Sequence, residues 1–237
     1  FYGILYHADF DTICRYADMV LQKVENDSAM LRYFLDFIMP KYYRSTKQIG
    51  WDATWCYLVR KYYLAGKCPW ATEADIINKR QTAEFLEKSL IGARGAELWM
   101  ADTNQSPDTK DWISSHRFPQ KYVILWFWDP DCDHCQEMTP ILHQLYLENS
   151  ENWDFEVFAV EVNQDHDRWV AFSDKNNLWD WINLSTSMGE ANLDFIEYFD
   201  IVTTPVIFLI DNSNEHTIIA RQITLDELSG ILSNSVK

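Results

Sequence analysis

The sequence predicts an all-α domain followed by a layered α/β domain. Apolar residues recur at helical spacing up to about residue 90. Predicted strands and helices then alternate, which is typical of an α/β domain. Residues 122–128 are seven apolar residues in succession, the pattern of a strand covered on both faces of a sheet. With 237 residues the chain is long enough for two domains, which we predict at 1–90 and 91–237.

Four helices are predicted in the first domain. They cover about residues 10–24, 27–40, 52–65 and 72–90. Asp27 is a suitable N-cap for the second helix, and Pro40 is expected to kink or end it. The third is expected to end at Gly66, because glycine adopts the left-handed conformation that terminates many helices. The apolar positions predicted for the buried side of the fourth helix are Ile76, Ile77, Phe85 and Leu86.

The second domain is predicted to begin with a connection, the polar stretch 102–111, that contains a short hairpin or extended pieces. The predicted strands that follow are 122–128, 155–162, 181–184, 206–210 and 217–220. The predicted helices are 132–149, 167–177, 191–199 and one that starts with the capping box Thr224-Leu-Asp-Glu227. In the first of these helices, Cys135, Met138, Ile141, Leu142 and Leu145 form one apolar stripe.

The charge pattern excludes some classes of function. The net charge is −16, and residues 91–237 hold 25 Asp and Glu against 8 Lys and Arg. Nucleic-acid binding is disfavoured, because it requires clustered basic residues.

The longest apolar run, 122–128, is too short to span a membrane. No signal peptide is predicted at residues 1–9, and five cysteines do not form a disulfide framework.

Two of those cysteines form a Cys-x-x-Cys motif between a predicted strand end and a predicted helix start. Cys132 would lie at the helix N-terminus, where free N–H groups and the helix dipole stabilise a thiolate. Cys135 would lie one turn further on, on the apolar stripe, and is expected to be shielded. The spacing therefore predicts an exposed attacking thiol and a buried resolving thiol, as disulfide exchange requires.

Other residues are candidates to tune or complete this site. His134 would stabilise the Cys132 thiolate, whereas negative charge would disfavour it, namely that of Asp129, Asp131 and Asp133. Alternatively, His134 is a solvated residue without a special role. Thr204 and Pro205 open a predicted strand. A cis bond there would expose the Thr204 backbone for pairing with an extended substrate; the alternative is an ordinary trans proline. No metal site is predicted, since the motif lacks a second ligand pair at a usual spacing.

Residues 91–237 resemble the thioredoxin fold, and within it the TlpA/ResA-like thiol–disulfide oxidoreductases of the bacterial envelope. The matching features are the strand ending in Trp126-Phe-Trp-Asp-Pro130, the motif Cys132-Asp-His-Cys135, Pro140, Thr204-Pro205 and the closing strand pair and helix. The resemblance implies a three-layer α/β/α fold with a central mixed sheet. It also implies disulfide exchange with protein substrates and a redox partner protein, no cofactor, and a periplasmic or envelope location. Residues 1–90 are similar to a helical domain of unknown function that precedes such domains.

The sequence departs from this family at the acid that often accepts the proton of the second thiol. Trp126 stands where thioredoxins carry it, and Met138 stands where TlpA/ResA-like members often have a Glu. Glu161 is a candidate to approach the site from the second strand; alternatively, it is a surface acid at the strand end.

Two other functions, and a possible disulfide between Cys56 and Cys68, stay open at this point. A thioredoxin-fold protein can act as a binding module without turnover. A thiol peroxidase is disfavoured, because Asp129 stands where peroxide-reducing relatives commonly place Thr or Ser. Cys56 and Cys68 would form a disulfide only if the chain doubled back after the helix, so buried free thiols are favoured.

Overall fold

The computed structural model describes residues 9–43, 51–101, 112–188 and 194–235. The chain divides into two compact units, Phe1–Leu90 and Ile91–Lys237. Within the described ranges, none of the helices combines the length and the apolar character needed to cross a membrane.

The first unit contains the helices α1 (Phe10–Val24), α2 (Ser28–Ile38), α3 (Trp51–Leu58) and α4 (Glu73–Glu87). Side-chain caps explain three of the starts: Asp9 caps α1, Asp27 caps α2, and Thr72 forms a capping box with Asp75 at α4. These caps supply acceptors to backbone N–H groups that the first helical turn leaves without a partner.

Two predicted helix ends in this unit differ from the structure. The second α-helix stops at Ile38, two residues before Pro40, and a short 3₁₀ turn follows over Met39–Lys41. The third changes to a π-helical turn over Val59–Tyr63 before the chain reaches Gly66, which has a φ of 73°. The wider turn keeps Val59, Tyr62 and Tyr63 buried.

Aromatic and aliphatic side chains form the core of the helical unit. Leu31 and Leu35 from α2, Leu58 from α3, and Tyr62 are fully buried. Ile77, predicted to be buried, is 46% exposed. The prediction was wrong because α4 has a weak apolar stripe: its described buried residues are Ala83 and Leu86.

The second unit is built on a mixed five-stranded sheet. The first two strands of the unit are β1 (Trp99–Ala101) and β2 (Trp112–Ser114). They pair with each other in antiparallel orientation, separately from the five-stranded sheet. The five-stranded sheet contains β3 (Tyr122–Trp128), β4 (Phe155–Glu161), β5 (Ile182–Ser185), β6 (Val206–Asp211) and β7 (Thr217–Arg221). The spatial order is β5-β4-β3-β6-β7. The predicted connection at 102–111 lies outside the described residues.

The helices that accompany this sheet in the described part of the chain are α5 (Asp133–Trp153), α6 (His166–Asn176), α7 (Phe195–Tyr198) and α8 (Leu225–Asn234). β3 pairs parallel with β4 and antiparallel with β6, and every residue of β3 and β4 is buried. The predicted mixed sheet with flanking helices, and the helical region before it, are confirmed.

Several boundaries in this unit differ from the prediction. α5 continues to Trp153, past the predicted end at residue 149, and it contains Pro140. α7 is a single turn, and residues 191–193 of the predicted helix 191–199 lie outside the described residues. Ile141 is 58% exposed although the stripe predicted it to be buried. Cys135 and Leu142 carry the buried face of that helix instead.

Candidate active site

The Cys-x-x-Cys motif lies where the central strand β3 gives way to α5. Cys132 is the N-cap of α5, and its backbone N–H donates to the Asp129 carbonyl at 3.1 Å. The helix is also tied to the strand: the Trp126 indole N–H donates to the Thr139 hydroxyl at 3.2 Å, with both side chains fully buried. The helix start that carries the motif is therefore anchored directly on the central strand.

The Cys132 thiol is half-buried and is surrounded by hydrogen-bond partners. The Cys135 backbone N–H donates to its sulfur at 3.4 Å, and the thiol donates to the Thr204 carbonyl at 3.2 Å. Burial acts to raise the pKa of Cys132, but hydrogen bonds with the side chain and backbone of Cys135, with the Thr204 side chain and with the His134 backbone together lower it below its ordinary value. The geometry thus favours a thiolate at Cys132.

The second thiol has the opposite environment. Cys135 is fully buried, and burial, followed by the hydrogen bond with Cys132, raises its pKa to about 12. A backbone hydrogen bond from Asp129 acts against this rise without overcoming it. The structure therefore places a partly accessible thiol with a lowered pKa beside a buried thiol with a raised pKa.

Thr204 and Pro205 complete this edge of the site. The peptide bond between them is cis, and β6 starts at the next residue. The Thr204 carbonyl lies against the Cys132 thiol, whereas Thr203 and Val202 are exposed. The fold thus brings the Cys-x-x-Cys motif next to the start of β6, although the two are far apart in the chain.

The two predicted tuning residues on the helix face solvent. Asp133 and His134 are both exposed in the first turn of α5. His134 reaches Cys132 through its backbone N–H, which is one of the groups that lower the pKa of the thiol.

Glu161 is fully buried at the end of β4, so the alternative of a surface acid is wrong. It is paired with Trp128, the last residue of β3, and its carboxyl accepts a hydrogen bond from the Ser185 hydroxyl at 2.6 Å and another from the Asn163 backbone. Burial is the main cause that raises the pKa of Glu161, and the negative charge of Asp129 adds to it.

Sequence reasoning considered Asp129 only for its charge near Cys132 and for the peroxidase alternative, and it missed Arg168. Asp129 contacts Cys135 through its backbone and acts electrostatically on Glu161. Arg168, at the start of α6, forms ion pairs with Asp131 and Asp165. The sequence does contain a signal for Arg168, which is the first Lys or Arg after an interval, residues 122–167, that contains none.

The remaining cysteines are buried and form no disulfide. Burial raises the pKa of Cys14 to about 12 and that of Cys68 to about 11. Cys56 and Cys68 are not bridged, and the Cys56 thiol faces the Ala83 carbonyl at 3.9 Å. Among the residues described, no group of three or more His, Cys, Asp or Glu is arranged to hold a metal ion.

Comparison with known proteins points to one family. A thioredoxin-like family model matches residues 120–216. A domain of a possible thiol-disulfide isomerase from Cytophaga hutchinsonii is 29% identical, with a TM-score of 0.53, covering 62% of this chain and 92% of that chain. No curated protein matches the chain at a significant level.

Two further solved structures show the same fold at lower identity. A thioredoxin-like protein from Bacteroides caccae is 14% identical with a TM-score of 0.72, and the match covers 98% of this chain and 80% of that one. A thiol:disulfide interchange protein from Bacteroides sp. is 22% identical with a TM-score of 0.51, over 63% of this chain and 91% of that one. The chain thus consists of a helical region followed by a domain with a thioredoxin-like fold, within which residues 120–216 match the thioredoxin-like family model.

Proposed function

We propose that this protein is a thiol–disulfide oxidoreductase that exchanges disulfides with protein substrates through Cys132 and Cys135. The observation that carries the proposal is the inequality of the two thiols. Cys132 is accessible with a lowered pKa, and Cys135 is buried with a pKa of about 12. The names of the Cytophaga and Bacteroides relatives support the same chemistry.

The proposed reaction transfers two electrons from the cysteine pair to a substrate disulfide. The Cys132 thiolate attacks one substrate sulfur, forms a mixed disulfide and releases the other substrate sulfur as a thiolate. Cys135 then loses its proton and attacks the Cys132 sulfur. That step releases the second substrate thiolate and forms the Cys132–Cys135 disulfide. The reverse sequence oxidises a substrate dithiol.

We assign the substrate-docking role to Thr204 and Pro205. The carbonyl of Thr204 already accepts a hydrogen bond from the Cys132 thiol at 3.2 Å. An extended substrate segment that reaches the sulfur would therefore pass along this backbone, where strand-like pairing supplies affinity without sequence specificity.

Three residues are proposed to tune the two thiols. A protonated His134 would favour the Cys132 thiolate from solvent, and Asp133 would oppose it. Glu161 has a different position. It is buried, and burial raises its pKa above that of an ordinary carboxyl, in the direction of neutral pH. Such a group can exchange protons during the second step, when Cys135 must be deprotonated.

The proposed partners are protein thiols or disulfides and one redox protein that resets the pair. No cofactor enters the proposal, since the two thiols carry the electrons. The proposed location is the periplasm or envelope of a bacterium. The resemblance to TlpA/ResA-like proteins supports it, and the relatives described above are bacterial.

Trapping tests the proposed function. A Cys135→Ser variant should accumulate a mixed disulfide through Cys132, which mass spectrometry can identify. The wild type should reduce insulin disulfides in the presence of dithiothreitol, and Cys132→Ser should not. A wild type without turnover would identify a binding module instead. Peroxide consumption that depends on Cys132, without insulin reduction, would favour a thiol peroxidase.

A further inference from the structure

The sequence around the cysteine pair is acidic in an unusual way. No Lys or Arg occurs between Lys121 and Arg168. That interval contains eleven acidic residues: Asp129, Asp131, Asp133, Glu137, Glu148, Glu151, Asp154, Glu156, Glu161, Asp165 and Asp167. The interval holds the whole of α5 and the loop that carries Cys132. The Lys, Arg, Asp and Glu charges within this interval of the sequence are therefore all negative.

Part of this charge lies on the accessible side of the site. Asp131 precedes Cys132 directly, and Asp133 follows it; both are exposed. Glu137 is also exposed and lies one helical turn after Asp133, on the same face of α5. We call Asp131, Asp133 and Glu137 the acidic rim.

Arg168, which pairs with one residue of the acidic rim, is already held in ion pairs. Arg168 forms an ion pair with Asp131 and a second one, at 3.4 Å, with Asp165. The guanidinium therefore offsets Asp131, and it leaves Asp133 and Glu137 uncompensated by this group. A substrate approaching Cys132 meets an excess of negative charge, to which the thiolate adds its own.

One exposed apolar residue lies close in the chain to Thr204. Val202 is 65% exposed, and it lies two residues before Thr204, whose carbonyl contacts the Cys132 thiol. A single exposed apolar side chain is ordinary on a protein surface, so the charge of the acidic rim is the feature that distinguishes the exposed residues next to Cys132.

We propose that the acidic rim selects substrates whose reactive cysteine is flanked by basic residues, in a cationic polypeptide segment. This inference rests on the proposed function and specifies its substrate class. Rim charges within about a Debye length of the sulfur, roughly 8 Å at physiological salt, attract a cationic disulfide and repel an anionic one. The selection acts on the rate of the first attack.

Three small disulfides test the selection in the full chain. Cystamine is cationic, 2-hydroxyethyl disulfide is neutral and dithiodiglycolate is anionic. The rate constant for mixed-disulfide formation is measured with the Cys135→Ser variant, and each value is divided by the rate of the same disulfide with an uncharged model thiol. This division removes the intrinsic reactivity of each disulfide. We expect a cationic-to-anionic ratio of about tenfold at low salt, which shrinks as salt is added.

Matched variants locate the charge responsible. Glu137→Gln should lower the ratio by about twofold. Glu151→Gln removes the same charge from an exposed site on the same helix, about 21 Å further along it, and should leave the ratio unchanged. Arg168→Gln should raise the ratio, because it uncovers the charge of Asp131.

The outcomes separate this inference from the proposed function. If all three disulfides react at equal normalised rates, the selection is overturned and the exchange chemistry stands. The same holds if Glu137→Gln and Glu151→Gln change the ratio equally, because the rim would then not be its source. If the neutral disulfide fails to react with Cys132 at all, the proposed function itself is overturned.

Discussion

The Cys132 thiol lies 3.2 Å from the backbone carbonyl oxygen of Thr204, although 72 positions separate the two residues in the chain. One belongs to the N-cap of α5 and the other precedes β6. β3 and β6 are adjacent antiparallel strands, so the end of one strand lies beside the start of the other. The pairing of these two strands therefore assembles the candidate active site.

The difference between the thiols predicts selective alkylation. At pH 7 a thiol with a pKa of about 12, such as Cys135, is ionised in roughly one molecule in 10⁵. Cys132 has a lowered pKa, so iodoacetamide should modify it at least about tenfold faster than Cys14, Cys68 or Cys135. Peptide mass spectrometry over a time course measures this. Equal rates at all sites in the native protein would contradict the assignment of Cys132 as the nucleophile.

Burial of Glu161 predicts a dependence of stability on pH. Its pKa in the folded protein is raised above the ordinary value of 4.5. The wild type therefore has its full stability with respect to this group below pH 4.5 and loses it as the pH rises through the folded pKa. Glu161→Gln removes that loss. Urea unfolding at pH 4.5 and pH 8 should show the variant gaining relative to the wild type at the higher pH.

Glu156 provides a matched control for a role of Glu161 in activity. It is also buried on β4, and burial raises its pKa, but it lies at the other end of the strand from the active-site edge. Glu161→Gln should shift the pH profile of insulin reduction, whereas Glu156→Gln should leave the profile in place. Equal shifts in the two variants would show that Glu161 acts through the fold alone.

The hydrogen bond from Trp126 to Thr139 predicts a cost for removing the hydroxyl. Thr139→Val leaves the buried indole N–H without its acceptor and should lower the free energy of unfolding by about 1–3 kcal/mol. Thr139→Ser keeps the hydroxyl and should cost less, about the value of one methyl group. Chemical denaturation of both variants gives the comparison. A valine variant as stable as the serine variant would contradict a structural role for this bond.

The capping box of α4 makes a prediction for the helical unit. The Thr72 hydroxyl accepts a hydrogen bond from the Asp75 backbone at 3.2 Å, and the Asp75 carboxyl accepts one from the Thr72 backbone at 3.0 Å. Thr72→Ala should destabilise the protein by about 1 kcal/mol, because one backbone N–H loses its partner. Thr72→Ser retains the oxygen and should be nearly neutral. Urea unfolding followed by circular dichroism distinguishes the two.

Much of the fold follows from local pattern. The uniform burial of residues 122–128, the Thr224 capping box and the Asp27 cap could all be predicted from residue type and spacing. The π-helical turn at 59–63 could not, since the side chains there would suit an ordinary helix equally well. The exposure of Ile77 and Ile141 was missed for a similar reason: periodicity gives a face of a helix, and only packing decides how wide the buried part of that face is.

For the site, the sequence by itself determined that two thiols stand one helical turn apart at a strand-to-helix junction, because that depends only on local order along the chain. Only the tertiary structure decided that Thr204 reaches Cys132, that Glu161 is buried beside Trp128, and that Arg168 covers Asp131. Those relationships join segments distant in sequence. They are set by strand pairing and by the exclusion of water from the sheet edge, which no pattern of neighbouring residues records.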